Sequence, residues 1–311
     1  MNDDLKTKIV ETLAYFDIFN YPLNLTQLRL FLHNKNSSNR AILNALAEIE
    51  IIEKKYGYYF FKGREKIAVR RKIQLNINKE KRKAAIHSIY LISKIPGVKL
   101  VGISGSLAMG NASQKDDIDL FIITRRNTLW ITRFLVVFLM KILKQKREVS
   151  SKNVDNKICL NMFLDEDSLE LDKKNLYVAH EVIQMQTYFD KGEILNKFLN
   201  ANSWIQSYFP NLIVKSSSKE LLFKEKAYIN EKIIRFINAI FFLGQYLYMQ
   251  NKITYEKVFL KKALFHPWNK SEEILNEFER RKMHFINHLQ NSEKSNELST
   301  NNLNIRLKNY N

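Results

Sequence analysis

The sequence has one cysteine, Cys159, in 311 residues. That excludes a disulfide framework within the chain and a cysteine-based zinc cluster. A reducing, cytoplasmic setting is the expectation. The opening MNDDLKTKIVETL lacks the basic-then-apolar order of a signal peptide. Long apolar runs are missing too. LWITRFLVVFLMKIL (129–143) carries Arg133 and Lys141, and FINAIFFLGQYLYM (236–249) is shorter still. Neither reaches the ~20 apolar residues that span a bilayer, so both predict buried helices and no membrane partner. Acidic side chains are in deficit: 32 Asp and Glu face 50 Lys and Arg, a formal charge of +18. Such an excess fits a polyanion, with nucleic acid held by the basic N-terminal third. It fits equally the Lys-, Asn- and Ile-rich usage of an AT-rich coding sequence, because the basic residues are spread over the whole length.

What is present suffices for real cores, since 45% of residues are hydrophobic and the length suits two or three domains. Residues 4–19 have helical apolar spacing, and Tyr21-Pro22 ends it. LTQLRLFL (25–32) follows with Asn24 as its cap, and NRAILNALAEIE (39–50) follows Ser37 or Ser38. IIEKKYGYYFFKG (51–63) reads as a hairpin around Tyr56-Gly57. Three helices and a hairpin have the order of a winged helix-turn-helix. In that arrangement the third helix, with Asn39, Arg40 and Asn44, enters the DNA major groove. The wing carries Lys54, Lys55, Lys62 and Arg64, while Glu48 and Glu50 oppose a phosphate backbone.

Residues 64–97 predict a basic connecting helix with a buried stripe of Ile86, Ile89, Tyr90 and Ile92. It is either solvated or faces phosphates. Strands are expected at 98–104, 116–124 and 158–164, and from about 175 to 290 the chain reads almost wholly helical. Residues 291–311 are polar with little periodicity, a flexible tail.

"GISGSLAMGNASQKDDIDLFIIT" (102–124) carries the chemistry. Asp117 and Asp119, two apart at a strand, project to one face. Two buried carboxylates side by side demand a cation. Hard oxygens suit Mg²⁺, or Mn²⁺, with nothing softer than Ser and Asn nearby. Gly105-Ser106 ends the preceding strand and opens a helical turn whose N–H groups can accept an anion. A nucleoside triphosphate bound as its metal complex fits both features.

The ordered combination of apolar strand, Gly-Ser, ten residues and Asp-x-Asp in a second apolar strand resembles the signature of the DNA polymerase β-like nucleotidyltransferase superfamily. The whole chain also looks like bacterial nucleotidyltransferase-domain proteins with an N-terminal winged-helix-like segment. The resemblance implies an α+β fold: a winged-helix-like module (1–63), the connecting helix (64–97), a mixed-sheet nucleotidyltransferase core (98–170) and a helical C-terminal bundle (171–290). It implies that Gly105 and Ser106 contact the triphosphate and that Asp117 and Asp119 hold the metal. It further implies transfer of a nucleoside monophosphate, with ATP the expected donor, to a hydroxyl on a protein, small molecule or RNA. Arg133, inside an apolar helix, needs a partner and is a candidate for phosphate.

The family pattern has a third carboxylate on the next core strand. Here ICLNMFL (158–164) offers Asn161, an amide that cannot deprotonate a hydroxyl. Either Glu181, close to His180 and Gln184 on the following helix, serves as base, or the acceptor needs none, or the site only senses nucleotide. The last case makes the chain a regulator with a DNA- or protein-binding winged module. Oligomeric state is not legible.

Overall fold

The computed structural model describes residues 2–147, 155–212, 230–251, 257–265 and 269–308. In chain order these form α1 (Asn2–Asp17), α2 (Leu25–Leu30), α3 (Asn39–Glu48), β1 (Ile52–Lys55), β2 (Tyr58–Phe61) and α4 (Glu65–Ser93). Then come β3 (Val98–Ile103), α5 (Gly105–Met109), β4 (Ile118–Thr124), α6 (Leu129–Ile142), β5 (Ile158–Asp165), α7 (Leu176–Gln184) and β6 (Gln186–Asp190). The chain continues with α8 (Ile194–Ala201), α9 (Ile205–Tyr208), α10 (Glu231–Met249), β7 (Lys257–Val258), β8 (Lys262–Leu264) and α11 (Asn269–Lys308). This is a mixed α+β fold in two units. One is drawn from Met1–Lys72, Ile205–Ile213 and Glu273–Asn311, the other from Ile73–Trp204 and Val214–Glu272.

In the first unit, Asn24 and Gln27 exchange side-chain and backbone bonds, a reciprocal cap that fixes the start of α2. Ser38 caps α3 by accepting from the Ala41 N–H. Tyr56 and Gly57 have φ of 54° and 82°, so their two-residue turn follows the natural twist of the β1–β2 hairpin. Ile9, Leu13, Phe16, Leu28, Leu32 and Ile42 form a buried apolar interior. Asn39, Arg40 and Asn44 are exposed on α3. Arg64, expected on the wing, instead binds Asp17 at 3.0 Å and Asn20 at 2.6 Å. Arg281 of α11 also pairs with Asp17, and Phe285 stacks on Phe61 with ring centroids 3.4 Å apart. α11 runs on to Lys308, so residues 291–308 are helix where composition predicts an aperiodic tail.

The second unit is built on a six-stranded sheet of order β6-β3-β4-β5-β8-β7. Only β4 and β5 run parallel, and the other neighbours are antiparallel. Three of its strands fall where a helical run was expected. Within the run expected to be helical, α7 stops at Gln184, and QTYFD becomes edge strand β6. Its aromatic and β-branched residues favour pairing with β3 over another helical turn. β7 and β8 are too short to leave a period in the sequence. His266-Pro267-Trp268, read as a turn, lies outside the described residues.

Alternation along β4 sorts the two faces of the sheet. Ile118, Leu120 and Ile122 enter a core with Ala85, Ile89 and Ile92 of α4 and Trp130, Val136 and Met140 of α6. The buried stripe of α4 is therefore Ala85-Ile89-Ile92, while Ile86 and Tyr90 are exposed. Asp119 and Phe121 occupy the other face, where Phe121 meets Phe198 of α8 at 5.2 Å between ring centroids. α10 packs on α6, with Asn238 Oδ1 accepting from the Trp130 backbone N–H at 2.8 Å. Among the described residues, no helix is long and apolar enough to cross a membrane.

Candidate active site

β3 delivers Ser104 and Gly105 beside the start of β4, where the Ser104 N–H donates to the Asp119 carbonyl at 2.9 Å. Gly105 has φ +64°, and a Cβ at this position would overlap the Asp119 carboxylate. Both the backbone and the space therefore require glycine. Gly105-Ser106 opens α5 as expected, but the Ser106 hydroxyl is engaged, donating to Asp116 Oδ2 at 3.1 Å. Ser113 adds an N–H bond at 3.0 Å and a hydroxyl bond at 2.6 Å to the same carboxylate. Asp116 is thus the knot that ties the loop between α5 and β4.

The loop is also held from α4, whose polar residues compositional reading left to solvent or phosphate. Gln74 donates to the Asn111 carbonyl at 3.0 Å. Asn78, 1% exposed, binds both backbone groups of Ala112, at 3.2 and 3.1 Å. The Lys81 ammonium is buried and reaches Asp116 O, Asp155 Oδ1 and Asn156 Oδ1 at 2.8, 2.9 and 3.1 Å. Arg82 binds Gln186 Oε1 and the Leu107 carbonyl, both at 3.1 Å. These four residues position the site. Their spacing of four, three and one along a helix is a face, and nothing in their residue types says that the face is buried.

Asp117 and Asp119 do converge. With Cys159 they place one ligand-capable atom each within 4.8 Å of the others. Asp119 is paired in register with Cys159 on β5. Asn161, expected at the third-carboxylate position, lies two residues further along, where the register slips from Leu120↔Leu160 to Phe121↔Met162. It is the extra residue of a β-bulge. The side chain beside Asp119 is therefore a thiol. Simple alternation from the strand sequence cannot locate the slip.

Burial raises the Asp119 pKa to about 7, with Asp117 and Glu181 adding repulsion and the Cys159 thiol offsetting part of it by donating a hydrogen bond. Burial and both aspartates push the Cys159 thiol strongly up, so it stays protonated. The cation demanded by Asp117 is present in the chain: Arg147 Nη1 lies 2.5 Å from Asp117 Oδ2, and nothing in the basic loop KQKREVSSKNVDNK singles this arginine out from its neighbours. The donor set fits Mg²⁺, with two hard carboxylates and a protonated sulfur that does not compete for a hard ion.

Glu181 of α7 is brought to the same place. It acts electrostatically on Asp119, its own pKa is raised by burial, and Lys270 opposes that rise. Glu181, Asn161 and Ser104 line one pocket on the Asp119 face of the sheet. Arg133 is not among them. It binds Gln245 Oε1 at 2.5 Å, lies over the Phe265 ring at 4.6 Å and lines a different cavity between α6 and α10. Its partner is the helix packing. Arg126 follows the far end of β4, whose last residue, Thr124, lies about 23 Å along the strand from Asp117 at ~3.3 Å per residue. Asp165, the last residue of β5, is fully buried and accepts from the Asn127 and Asp167 N–H groups at 2.7 and 3.0 Å.

Compared with known proteins, the chain matches no protein-family model and no curated sequence.

Proposed function

We propose that the chain is a Mg²⁺-dependent nucleotidyltransferase that moves a nucleoside monophosphate from a nucleoside triphosphate to an acceptor hydroxyl. The observation that carries this reading is the convergence of Asp117 and Asp119 at the start of β4, against a Gly105 that has no room for a side chain. Asp117 and Asp119 would hold the metal, and Arg147, now paired with Asp117, would be released toward phosphate oxygens. When bound, Mg²⁺ supplies charge neutralisation on the triphosphate. The chain's own residues orient the reactants: the loop from Gly105 to Asp116, fixed by α4, sets where the phosphates lie. Positioning of this kind accounts for much of the rate in phosphoryl chemistry. Glu181 is the general base, because a carboxylate with a raised pKa accepts a hydroxyl proton more readily than an ordinary one.

A second reading is favoured by Cys159. With a thiol where a carboxylate would complete the metal set, the site binds nucleotide without turnover and acts as a sensor, and α3 and the hairpin supply its DNA or protein contact. Calorimetry with ATP, GTP, CTP and UTP, with and without Mg²⁺, tests both readings. Magnesium-dependent binding lost in Asp117→Ala/Asp119→Ala supports a metal–nucleotide site, and its absence for all four sinks the proposal. Release of pyrophosphate then separates enzyme from sensor.

A further inference from the structure

The pocket beside Asp119 has a composition that bears on the acceptor. Its walls are apolar, with Phe121 from β4, Met162 from β5, Val182 from α7 and Phe198 from α8. Its polar groups are few: Ser104, Asn161 and Glu181 belong to the site described above, and Tyr177 and Ser271 complete the set. The Ser104 Oγ is buried with no hydrogen-bond partner in the structure, so a ligand oxygen there would satisfy it. Among the described residues, no lysine or arginine lines the pocket. Lys270, which acts on Glu181, is exposed. A phosphate or carboxylate placed inside would lose its hydration without gaining a cation, which is prohibitive. The free volume of about 80 Å³ compares with the ~10–15 Å³ that admits one water on the same measure. That is room for a single ring or a short branched alkyl body, and too little for a whole nucleotide.

We propose that this pocket selects the acceptor: a small, uncharged molecule whose apolar body sits among Phe121, Met162, Val182 and Phe198 and whose hydroxyl meets Ser104 and Glu181. The proposal rests on the nucleotidyltransferase reading and narrows it, setting aside RNA ends and protein side chains. In the reaction the acceptor oxygen bonds to the α-phosphorus of the nucleoside triphosphate. The bond from that phosphorus to the bridging oxygen breaks, pyrophosphate leaves with the electron pair, and the hydroxyl proton passes to Glu181.

The test uses the full-length chain with benzyl alcohol as the neutral probe and phenyl phosphate and benzoate as charged counterparts, each titrated by calorimetry with and without Mg-ATP. The expected result is that benzyl alcohol binds at least tenfold more tightly than either anion. Val182→Phe, which fills the pocket, should lower that affinity at least tenfold and leave Mg-ATP affinity within twofold. The comparison of neutral and charged probes needs only the wild type, so it stands even where the variant does not fold. Mg-ATP binding without preference for the neutral probe overturns the acceptor assignment and leaves the transferase reading intact. Competition between Mg-ATP and benzyl alcohol overturns it as well, because the pocket then holds the base. Benzyl alcohol binding with no nucleotide binding at all removes the transferase reading, and the acceptor role falls with it.

Discussion

At Gly105 a backbone φ of +64° and the neighbouring Asp119 carboxylate act on the same position. Gly63 has a similar φ of +79° but open space around it. Gly63→Ala should therefore cost only the strain of the left-handed region, ~1–2 kcal/mol. Gly105→Ala should cost more and also displace Asp119, abolishing Mg-dependent nucleotide binding. Urea denaturation and calorimetry on both variants separate strain from displacement, and equal behaviour would refute the role given to the missing methyl group. Cys159 allows a second check. If its protonated thiol is only a hydrogen-bond donor to Asp119, Cys159→Ala leaves Mg-nucleotide affinity within about threefold, whereas a tenfold loss would make the sulfur part of the metal set. Gly105, Asp117 and Asp119 were legible in the sequence because their relation is local, two strand ends and a turn. Cys159 was not, because its place beside Asp119 depends on strand register across 40 residues.

Among the elements, α4 departs furthest from its composition. Its polar residues read as solvated or phosphate-facing, yet Asn78 and Lys81 are buried against the site loop. Asn78→Leu would strand both backbone groups of Ala112, at about 1–3 kcal/mol for each buried group left unmade. Lys81→Met removes the bonds to Asp116, Asp155 and Asn156. Both variants are expected to lower the urea midpoint and to weaken Mg-nucleotide binding more than tenfold. Lys83→Met, whose partner Glu80 is as exposed as Lys83 itself, should do neither, since surface pairs contribute little. Unchanged nucleotide affinity in Asn78→Leu would show that the clamp serves the fold alone. Helix existence was readable here from sequence. The burial of its polar face was not, because amides and lysines carry no periodic signal that distinguishes a clamp from a wet surface.

For the whole molecule, two buried groups give the units opposite responses to acid. In the first unit His33 lies among the rings of Tyr15, Phe209 and Phe278. Burial, with Lys8 and Lys282 nearby, holds its pKa down to about 3 against an ordinary 6.5. The unfolded chain therefore takes up the proton first, and stability falls as pH drops from 6.5 toward 3, by on the order of a few kcal/mol. In the second unit burial raises Asp165 to about 6 from 3.8. Here the folded state holds the proton more tightly, so its contribution is present below pH 3.8 and is lost as pH rises through 6. Urea titrations between pH 3 and 7 should show His33→Leu flattening the acid limb and Asp165→Asn removing a slope of the other sign. Identical slopes in the wild type and both variants would mean that neither group titrates as its surroundings dictate. From sequence the chain divides into consecutive segments, 1–63, 64–97, 98–170 and 171–290. The return of α11 to the first unit, and of β7 and β8 to the sheet of the second, is not foreseen there, because both are closures between segments far apart in the chain.

Those closures bear on when the site comes into being during synthesis. The bonds that hold it span 37 residues from Gln74 to Asn111, 74 from Lys81 to Asp155 and 104 from Arg82 to Gln186. Loop entropy must be surrendered before any of them forms. A nascent chain that has emerged only through β4 already carries Gly105, Asp117 and Asp119 and the α4 bonds to their loop, but it still lacks Cys159 beside Asp119 and the Asp155 and Gln186 partners of Lys81 and Arg82.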